Sequence, residues 1–462
     1  MTVQKTVSPV DESIYCERQL ATAAQIDTAL DLAVKAQRAW RLVPVADRAK
    51  TCSRFCSAFE AKRDEIAREL TWQMGRPIRY APNEVNGMLE RARYMIDIAG
   101  EALADRDAGP KEEFRRFVRR EPLGVVFTIA AWNYPYLIAV NSVVPAIMAG
   151  NSVVLKHSAQ TPLCAERFAE CLREAGLPEG VFQALHLSHE DTERVVRDSR
   201  VDFIAFTGSV EGGHAIQRAA AARFVGTGLE LGGCDPAYVR QDANLAHAIE
   251  NLVDGAYFNS GQSCCGIQRI YVHQKLYQDF VDGAVALTQQ YVLGSPTEQS
   301  TTLGPVVRAS AADYVRRQID ASMKAGARST IEERTFGLSR AGTPYLAPQL
   351  LVDVNHSMSV MREEIFGPVA GVMPVKDDDE AVKLMNDTAF GLTAAIWTED
   401  ADAALAIGDR INTGTWFMNR CDYLDPALAW VGVKDSGRGC TLSTVGYEHL
   451  TRPKSFHLRT RT

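Results

Sequence analysis

Apolar residues recur at helical spacing through the first hundred residues of the chain. Residues 23 to 39, 45 to 70 and 84 to 104 each carry an apolar face opposite a charged one, the pattern of an amphipathic helix packed on a core. The apolar stripe of the second segment consists of Val45, Ala49, Cys52, Phe55, Cys56, Phe59, Ile66 and Leu70. Its two cysteines are therefore expected in the core rather than at a metal.

Beyond residue 123 the pattern changes to short β-branched runs separated by amphipathic segments. The runs are residues 123–129, 152–156, 181–187, 201–206 and 224–230. Two of the intervening helical segments begin with a proline, at Pro135 and Pro162, where proline is favoured in the first turn. Such alternation predicts an α/β fold built on a parallel sheet. A second α/β unit continues from residue 232 to about residue 433.

Residues suited to ligand binding stand at the predicted carboxyl ends of these strands, where parallel sheets bind ligands. They are Trp132 and Asn133 after the first strand, Lys156 at the end of the second, Thr207-Gly208-Ser209 after the fourth and Glu230 at the end of the fifth. Strand order alone therefore places an amide, a cation, a glycine turn and a carboxylate in one crevice. The glycine turn lacks the spacing of a dinucleotide fingerprint, but free amides at a helix start suit a pyrophosphate.

A candidate nucleophile lies in the turn Phe258-Asn259-Ser260-Gly261-Gln262-Ser263-Cys264-Cys265. Residues 244–257 have helical periodicity and the turn ends that helix, so Cys264 is expected outside the core. A thiolate there could attack a carbonyl carbon. The alternative is that both cysteines are buried small hydrophobes, and the local sequence leaves both interpretations open. Glu230, alone in an apolar segment before Gly232-Gly233, could serve as a general base.

Composition narrows the class of protein. The chain has 462 residues, 46% hydrophobic and 23% charged, with a formal net charge of -7; this is typical of a globular protein of two or three domains and offers no basic surface for nucleic acid. Its ten cysteines and nine histidines lack the spacing of a disulfide framework or a metal site. Neither an apolar signal segment nor an apolar run of membrane-spanning length occurs. A cytoplasmic protein with a small-molecule substrate and no metal is expected.

The cysteine turn and the Leu229-Glu230-Leu231-Gly232-Gly233 segment together resemble the aldehyde dehydrogenase superfamily, as does Glu363-Glu364-Ile365-Phe366-Gly367-Pro368-Val369. The resemblance implies a Rossmann-like parallel-sheet NAD(P)-binding domain of residues 1–110 and 123–231. It also implies a second α/β catalytic domain of residues 232–433, and a small β oligomerisation ribbon and tail of residues 111–122 and 434–462. A homodimer or homotetramer would follow, although residues 112–121 taken alone also fit a solvated helix face or a charged surface loop.

The resemblance implies a role for each candidate residue. Cys264 would attack the aldehyde, Asn133 and the Cys264 amide would hold the oxyanion, and Glu230 would activate water against the thioester. The implied cofactor contacts are Trp132, Lys156, Ser209, Glu364 and Phe366. The implied substrate pocket is apolar and aromatic, and is lined by Tyr134, Leu137, Phe258 and Trp430. The reaction would be NAD(P)-dependent oxidation of an aldehyde to the carboxylic acid.

Four positions depart from the family pattern. Ala131 and His157 replace prolines, and Cys234 replaces a lysine, in segments that flank the site. Ala159 stands where strictly NAD-using relatives often carry a glutamate that repels a 2'-phosphate. The resemblance therefore leaves both NAD and NADP open as the cofactor.

The substrate is also open. The chain is similar to short bacterial members that oxidise succinate semialdehyde, which makes that substrate the alternative to an unspecified aldehyde. Arg420 and Arg269 are cations near motif segments that could meet a substrate carboxylate, although a structural salt bridge is the simpler role for each. Members that pass their thioester to coenzyme A generally lack a glutamate at position 230. A non-redox cysteine acyl-transfer enzyme and a homologue without activity are further alternatives.

Overall fold

The strand runs of the sequence form a six-stranded sheet in the computed structural model, which describes residues 2–461. In spatial order, with labels numbered along the chain, its strands are Gly437–Arg438 (β17), Gly226–Glu230 (β9), Phe203–Thr207 (β8), Val125–Ala130 (β5), Ser152–His157 (β6) and Phe182–Ala184 (β7). Neighbours are parallel except β17 with β9. β5 and β6 are buried along their whole length, as expected where helices cover both faces. The predicted α/β fold is confirmed.

A seven-stranded sheet forms the second α/β unit. Its spatial order is Arg328–Ser329 (β12), Gln349–Val352 (β13), Val369–Val375 (β14), Ile267–His273 (β11), Asp235–Val239 (β10), Thr393–Trp397 (β15) and Thr415–Met418 (β16). Only the β12–β13 pair is antiparallel. The central strands β10 and β11 are again fully buried. β10 begins a few residues after β9 ends, so the chain crosses from one sheet to the other beside Glu230.

Helices cover both sheets. Those of the first half are Ala23–Trp40 (α1), Val45–Glu60 (α2), Arg63–Met74 (α3), Ala81–Ala102 (α4), Pro135–Ala149 (α5), Pro162–Glu174 (α6), His189–Arg197 (α7) and Val210–Ala220 (α8). Those of the second half are Leu245–Tyr257 (α9), Tyr277–Thr288 (α10), Ala309–Lys324 (α11), Asp378–Asn386 (α12), Ala401–Gly408 (α13) and Ser443–His449 (α14). Pro135 and Pro162 each occupy the first turn of a helix, as predicted.

The single helix predicted over residues 45–70 is wrong, because the chain turns between α2 and α3. At this point the Lys62 N–H bonds to the Phe59 carbonyl, three residues back, which tightens the last turn of α2 and ends it. Phe59 and Ile66 are nevertheless both buried. The apolar stripe therefore survives the break, which is why its periodicity did not reveal it.

The arginine-rich segment is a strand, so the helix-face and loop alternatives for it are wrong. Phe114–Pro122 (β4) pairs along its length with Thr451–Arg459 (β18), and Arg106–Asp107 (β3) completes this three-stranded ribbon. Phe117 stacks on Phe456 with ring centroids 4.5 Å apart. A separate hairpin near the N-terminus joins Val3–Val7 (β1) to Ile14–Gln19 (β2). Within residues 2–461, every helix is too short or too polar to cross a membrane.

Candidate active site

Cys264 and Glu230 line one cleft of about 970 Å³. Helices α4, α5 and α9 form its walls, and the turn after α9 forms part of its floor. The cleft is also lined by the four predicted pocket residues Tyr134, Leu137, Phe258 and Trp430. The structure thus brings together a thiol, a carboxylate and an aromatic wall that lie far apart in the sequence.

The turn that carries Cys264 is held in a strained backbone conformation. Asn259 and Ser260 have φ values of 52° and 57°, and Gly261 follows with 69°, which places three successive residues in the left-handed region that side chains disfavour. Gln262 stabilises this turn from within, because its side chain donates to the Asn259 carbonyl at 3.0 Å and accepts from the Val307 N–H at 2.7 Å. The buried amide of Gln262 therefore anchors the turn two residues before the thiol.

The two adjacent cysteines differ in their surroundings. Cys264 is half-buried, whereas Cys265 is 3% exposed. The Cys265 thiol donates to an oxygen of Asp422 at 2.9 Å, and the Ser263 hydroxyl donates to the same oxygen at 3.0 Å. The contact with Cys264 and burial both raise the pKa of Cys265. Although both sulfurs border the cleft, Cys264 is the thiol without a carboxylate partner among residues 2–461.

Glu230 ends β9 with its carboxylate held from two sides. β8 and β9 run in parallel with Thr207 opposite Glu230, and the Thr207 hydroxyl donates to one carboxylate oxygen at 3.0 Å. The Thr441 hydroxyl donates to the other oxygen at 2.6 Å. Burial raises the pKa of Glu230, and the two hydroxyls partly offset that rise. Thr441 could not be found from the sequence, because it lies 211 residues away and has no motif around it.

The glycine pair Gly232-Gly233 allows the segment that carries Glu230 to approach both the Glu364 segment and the cysteine turn closely. A side chain at Gly232 would collide with the Glu364 carboxylate, and one at Gly233 would collide with the Cys264 carbonyl oxygen. The Gly233 N–H also donates to Glu364 at 3.2 Å. Burial raises the pKa of Glu364 to about 7. The glycines are therefore required for close approach, which explains why the sequence places them directly after Glu230.

Asn133 lies behind the turn rather than in the cleft lining. It is 4% exposed, and its side-chain amide donates to the Gln262 carbonyl at 3.3 Å. Arg76, which sequence reasoning missed, donates to the Asn133 carbonyl at 2.6 Å and to the Asn259 side chain at 3.2 Å. Arg76 also forms a buried ion pair with Glu84. This pair ties α4 to both Asn133 and the cysteine turn.

The predicted cofactor residues lie outside the cleft lining. Trp132, Lys156 and Ser209 lie at the carboxyl ends of strands of the six-stranded sheet, and Glu364 and Phe366 lie in the loop before β14. Lys156 is the penultimate residue of β6, is 9% exposed, and has no hydrogen-bond or ion-pair partner among the described residues; burial lowers its pKa. Ser209 caps α8 by accepting from the Gly212 N–H at 3.2 Å. Trp132 meets Phe366 edge to face at 5.7 Å. A buried free cation and a capped helix start fit the hydroxyls and phosphates of a dinucleotide.

Neither arginine suggested by the sequence lines the cleft. Arg269 is fully buried and donates to the backbone carbonyls of Cys234 and Met385, at 2.8 and 3.2 Å. Arg420 is exposed and stacks over Tyr423 at 3.9 Å. The expected salt bridges are absent for both within residues 2–461. In the described part of the chain, no group of acidic, histidine and cysteine side chains is arranged to hold a metal ion.

Comparison with known proteins agrees with this geometry. The model of the aldehyde dehydrogenase family matches residues 2–456. A succinate-semialdehyde dehydrogenase [NADP(+)] of Mycobacterium avium (strain 104) is 35% identical over 453 residues, which cover 97% of this chain and 95% of that protein. The succinate semialdehyde dehydrogenase [NAD(P)+] Sad of Escherichia coli (strain K12) is 34% identical over 427 residues, 92% of this chain and 91% of that protein.

Solved structures give the same result. The NAD-dependent aldehyde dehydrogenase from Sinorhizobium meliloti superposes with a TM-score of 0.95 at 32% identity, covering 99% of this chain and 92% of that one. The succinic semialdehyde dehydrogenase from Streptococcus pyogenes, in complex with NADP+, superposes with a TM-score of 0.94 at 26% identity, covering 99% of this chain and 100% of that one. The chain therefore belongs to the aldehyde dehydrogenase family, the NAD(P)-dependent enzymes that oxidise aldehydes.

Proposed function

We propose that the chain oxidises an aldehyde to its carboxylic acid through a thioester on Cys264, with Glu230 as the base that hydrolyses the thioester. One observation carries this assignment. The Cys264 thiol and the Glu230 carboxylate border the same cleft, while the neighbouring Cys265 thiol is bonded to Asp422. Of the two adjacent sulfurs, Cys264 is thus the one free to attack a substrate.

In the first half of the reaction Cys264 reacts as the thiolate: its sulfur bonds to the carbonyl carbon, and the electron pair of the carbonyl π bond moves to the oxygen, which becomes an oxyanion. Asn133 has two amide protons and gives one to the Gln262 carbonyl, which leaves the other for the oxyanion. The backbone N–H of Cys264 has no acceptor among the described residues and supplies a second donor. Each such donor contributes roughly 3 kcal/mol to the transition state. When bound, the nicotinamide ring of the cofactor supplies the hydride acceptor.

In the second half of the reaction water attacks the thioester carbon, Glu230 takes a proton from the water, and the carbon–sulfur bond breaks to release the acid and the Cys264 thiolate. Burial keeps the pKa of Glu230 above its ordinary value, which makes the carboxylate a stronger base than an exposed glutamate. The Thr207 and Thr441 hydroxyls fix the orientation of that carboxylate. Glu230 therefore favours water over coenzyme A as the acyl acceptor.

The cofactor would be held by the residues that flank the cleft. Lys156 would bind the adenosine ribose hydroxyls, Trp132 and Ser209 the pyrophosphate, and Glu364 with Phe366 the nicotinamide ribose. Phe366 supports this role because it has a φ of 57°, a conformation that is uncommon for an aromatic residue and concentrates at functional sites. Ala159 brings no negative charge to this side of the site, so both NAD and NADP are proposed as cofactors.

The domain roles follow the sheets. We propose residues 1–110 and 123–231 as the NAD(P)-binding domain, 232–433 as the catalytic domain, and 111–122 with 434–462 as the oligomerisation ribbon and tail of a cytoplasmic homodimer or homotetramer. The outer edge of β18 supports an intersubunit role, since β18 pairs on only one side within the described chain and unpaired edges invite pairing with another chain. Removal of residues 451–462 is expected to lower the sedimentation coefficient to that of a smaller assembly. An unchanged coefficient would refute the role of the ribbon.

The activity itself is tested by absorbance of the reduced nicotinamide. The full chain is mixed with a panel of small aldehydes, and NAD and NADP are run in parallel. Production of the reduced cofactor with at least one aldehyde, together with the acid as product, is expected. Failure with every aldehyde and both cofactors would contradict the proposal. Release of a coenzyme A ester only when coenzyme A is present would assign the acylating alternative instead.

A further inference from the structure

One charged side chain of the cleft has no place in the mechanism above. Arg91, on α4, is the only lysine or arginine among the cleft-lining residues of the described chain. It is 8% exposed. Sequence reasoning passed over it because it looks like one of many charged positions on an amphipathic helix.

The hydrogen bonds of Arg91 use only one of its three nitrogens. Nη1 donates to the Leu137 carbonyl at 2.8 Å and to the side-chain oxygen of Asn141 at 3.2 Å. Within residues 2–461, Nε and Nη2 have no acceptor, and no carboxylate lies within ion-pair distance of the guanidinium. A guanidinium carries five N–H donors in a planar fork, so most of its binding capacity is unused.

The nearby carboxylates are already engaged elsewhere. Glu84 is paired with Arg76 and accepts from the Tyr136 and Leu137 amides at the start of α5, at 2.9 and 3.1 Å. Glu230 is held by two threonine hydroxyls. Burial consequently lowers the pKa of Arg91, and these two carboxylates offset the effect only from a distance. A buried guanidinium without an ion-pair partner is costly, and an anion entering the cleft would remove that cost.

We propose that Arg91 binds a carboxylate on the substrate, so that the enzyme selects aldehydes that carry a carboxylate at the end opposite the aldehyde group. The planar fork matches two carboxylate oxygens, and its place in the lining that contains Cys264 lets one small molecule reach both. This inference rests on the proposed function, because it assigns the substrate class of the same cleft. It also replaces Arg269 and Arg420 as candidates for this contact.

The cleft also contains carboxylates, which would favour a cationic substrate over an anionic one. Glu90, Glu250 and Asp254 also line it, are exposed, and have no ion-pair partner among the described residues. They would favour a cationic aldehyde if they dominated recognition. Asp422 also lines the cleft but accepts from Cys265 and Ser263, and burial raises the pKa of Asp254 to about 6. Water screens the exposed Glu90 and Glu250 carboxylates strongly, whereas the recessed guanidinium is screened little. The charge of Arg91 should therefore outweigh that of the exposed carboxylates, and the cleft should prefer an anionic substrate.

The test compares three aldehydes of matched length in the full chain with saturating cofactor: succinate semialdehyde, butanal and 4-aminobutanal. The wild-type protein should show the highest kcat/KM with succinate semialdehyde. In Arg91→Met, the ratio of kcat/KM for succinate semialdehyde over butanal should fall by roughly 10- to 150-fold, the loss of a charge-assisted hydrogen bond. The change should lie mainly in KM, and Arg91→Lys should restore part of the ratio.

In the ratio of the two kcat/KM values, effects that apply equally to all substrates cancel. These include any influence of Arg91 on the Glu230 base or on folding. Arg420→Met is the matched control, and its ratio should equal that of the wild type. Equal losses for succinate semialdehyde and butanal in Arg91→Met would overturn the proposal and leave Arg91 a positioning residue for Asn141. A wild-type preference for 4-aminobutanal or butanal would overturn it as well. Both results leave the proposed oxidation intact, whereas no activity with any aldehyde would refute the proposed function itself.

Discussion

The two proposed reacting groups, Cys264 and Glu230, reach the cleft by different structural means. Glu230 stands at the end of a regular strand, and the parallel register of β8 and β9 places Thr207 beside it. Cys264 follows a turn with three successive left-handed residues, which Gln262 and Arg76 hold through buried hydrogen bonds. The position of Glu230 thus depends mainly on strand register, with one long-range hydrogen bond from Thr441, whereas the turn depends on several buried contacts from distant parts of the chain. Substitutions that disrupt the turn should therefore lower both stability and catalysis, whereas substitutions at the strand end should lower only catalysis.

The largest expected loss of activity comes from substitution of Cys264, directly after the turn. Cys264→Ser should lower aldehyde oxidation by on the order of 10⁴-fold or more while cofactor binding persists, because a serine hydroxyl is far less ionised than a thiol. Cys265→Ser should keep activity within about tenfold of the wild type, because a serine hydroxyl can still donate to Asp422. Steady-state rates measure both. Equal losses from the two substitutions would remove the distinction between the cysteines.

The strand edge gives the next effect. Glu230→Gln should lower turnover by roughly 10²- to 10⁴-fold, the usual contribution of a general base, with an unchanged thermal midpoint. In the wild type, turnover should fall as pH drops through the raised pKa of Glu230, because the protonated carboxyl cannot accept a proton from water. The variant should lack this acid limb. A variant with normal turnover would make Glu230 a structural residue.

A third experiment separates the turn from the strand edge by stability. Gln262→Leu leaves the buried Val307 N–H without a partner, at about 1–3 kcal/mol, and removes one of the two hydrogen bonds to the Asn259 carbonyl, which keeps the one from the Gln262 N–H. Urea unfolding should show a loss of about 1–3 kcal/mol, with lower activity. The control is Gln290→Leu, an exposed glutamine whose bond to the Ala286 carbonyl is long, at 3.4 Å. Equal midpoints for the two variants would show that the turn does not depend on Gln262.

The smallest effect concerns the carboxylate beside the glycine pair. The pKa of Glu364 is about 7, so the group is neutral below that pH and ionised above it. Ribose hydroxyls donate more strongly to the ionised form, and the cofactor dissociation constant should therefore decrease several-fold as the pH rises through 7. Fluorescence titration measures it. Glu364→Gln should abolish the pH dependence and Glu363→Gln, its exposed neighbour, should retain it; the reverse pattern would exclude Glu364 from the cofactor site.

The same contrast explains what could be predicted from the sequence. Alternating strands and helices predicted the parallel sheet and the strand end at Glu230, because sheet geometry depends on local pattern. Thr441 and Arg91 could not be predicted, since a lone threonine and a helical arginine carry no signal until the fold brings them to the cleft. The same holds for the break at Ala61 and Lys62, which leaves the apolar stripe intact. Roles for Asn133 and the cofactor residues came from resemblance and remain proposals.

Cys264 is proposed to carry the acyl group and Glu230 to release it, and rapid mixing of Glu230→Gln with cofactor and aldehyde tests both roles most directly. Hydride transfer precedes hydrolysis, so we expect a burst of about one reduced nicotinamide per active site, followed by near arrest. Mass spectrometry should then find the acyl mass on Cys264, and not on Cys265, within their shared peptide. The absence of a burst, or an acyl group on Cys265, would contradict the account.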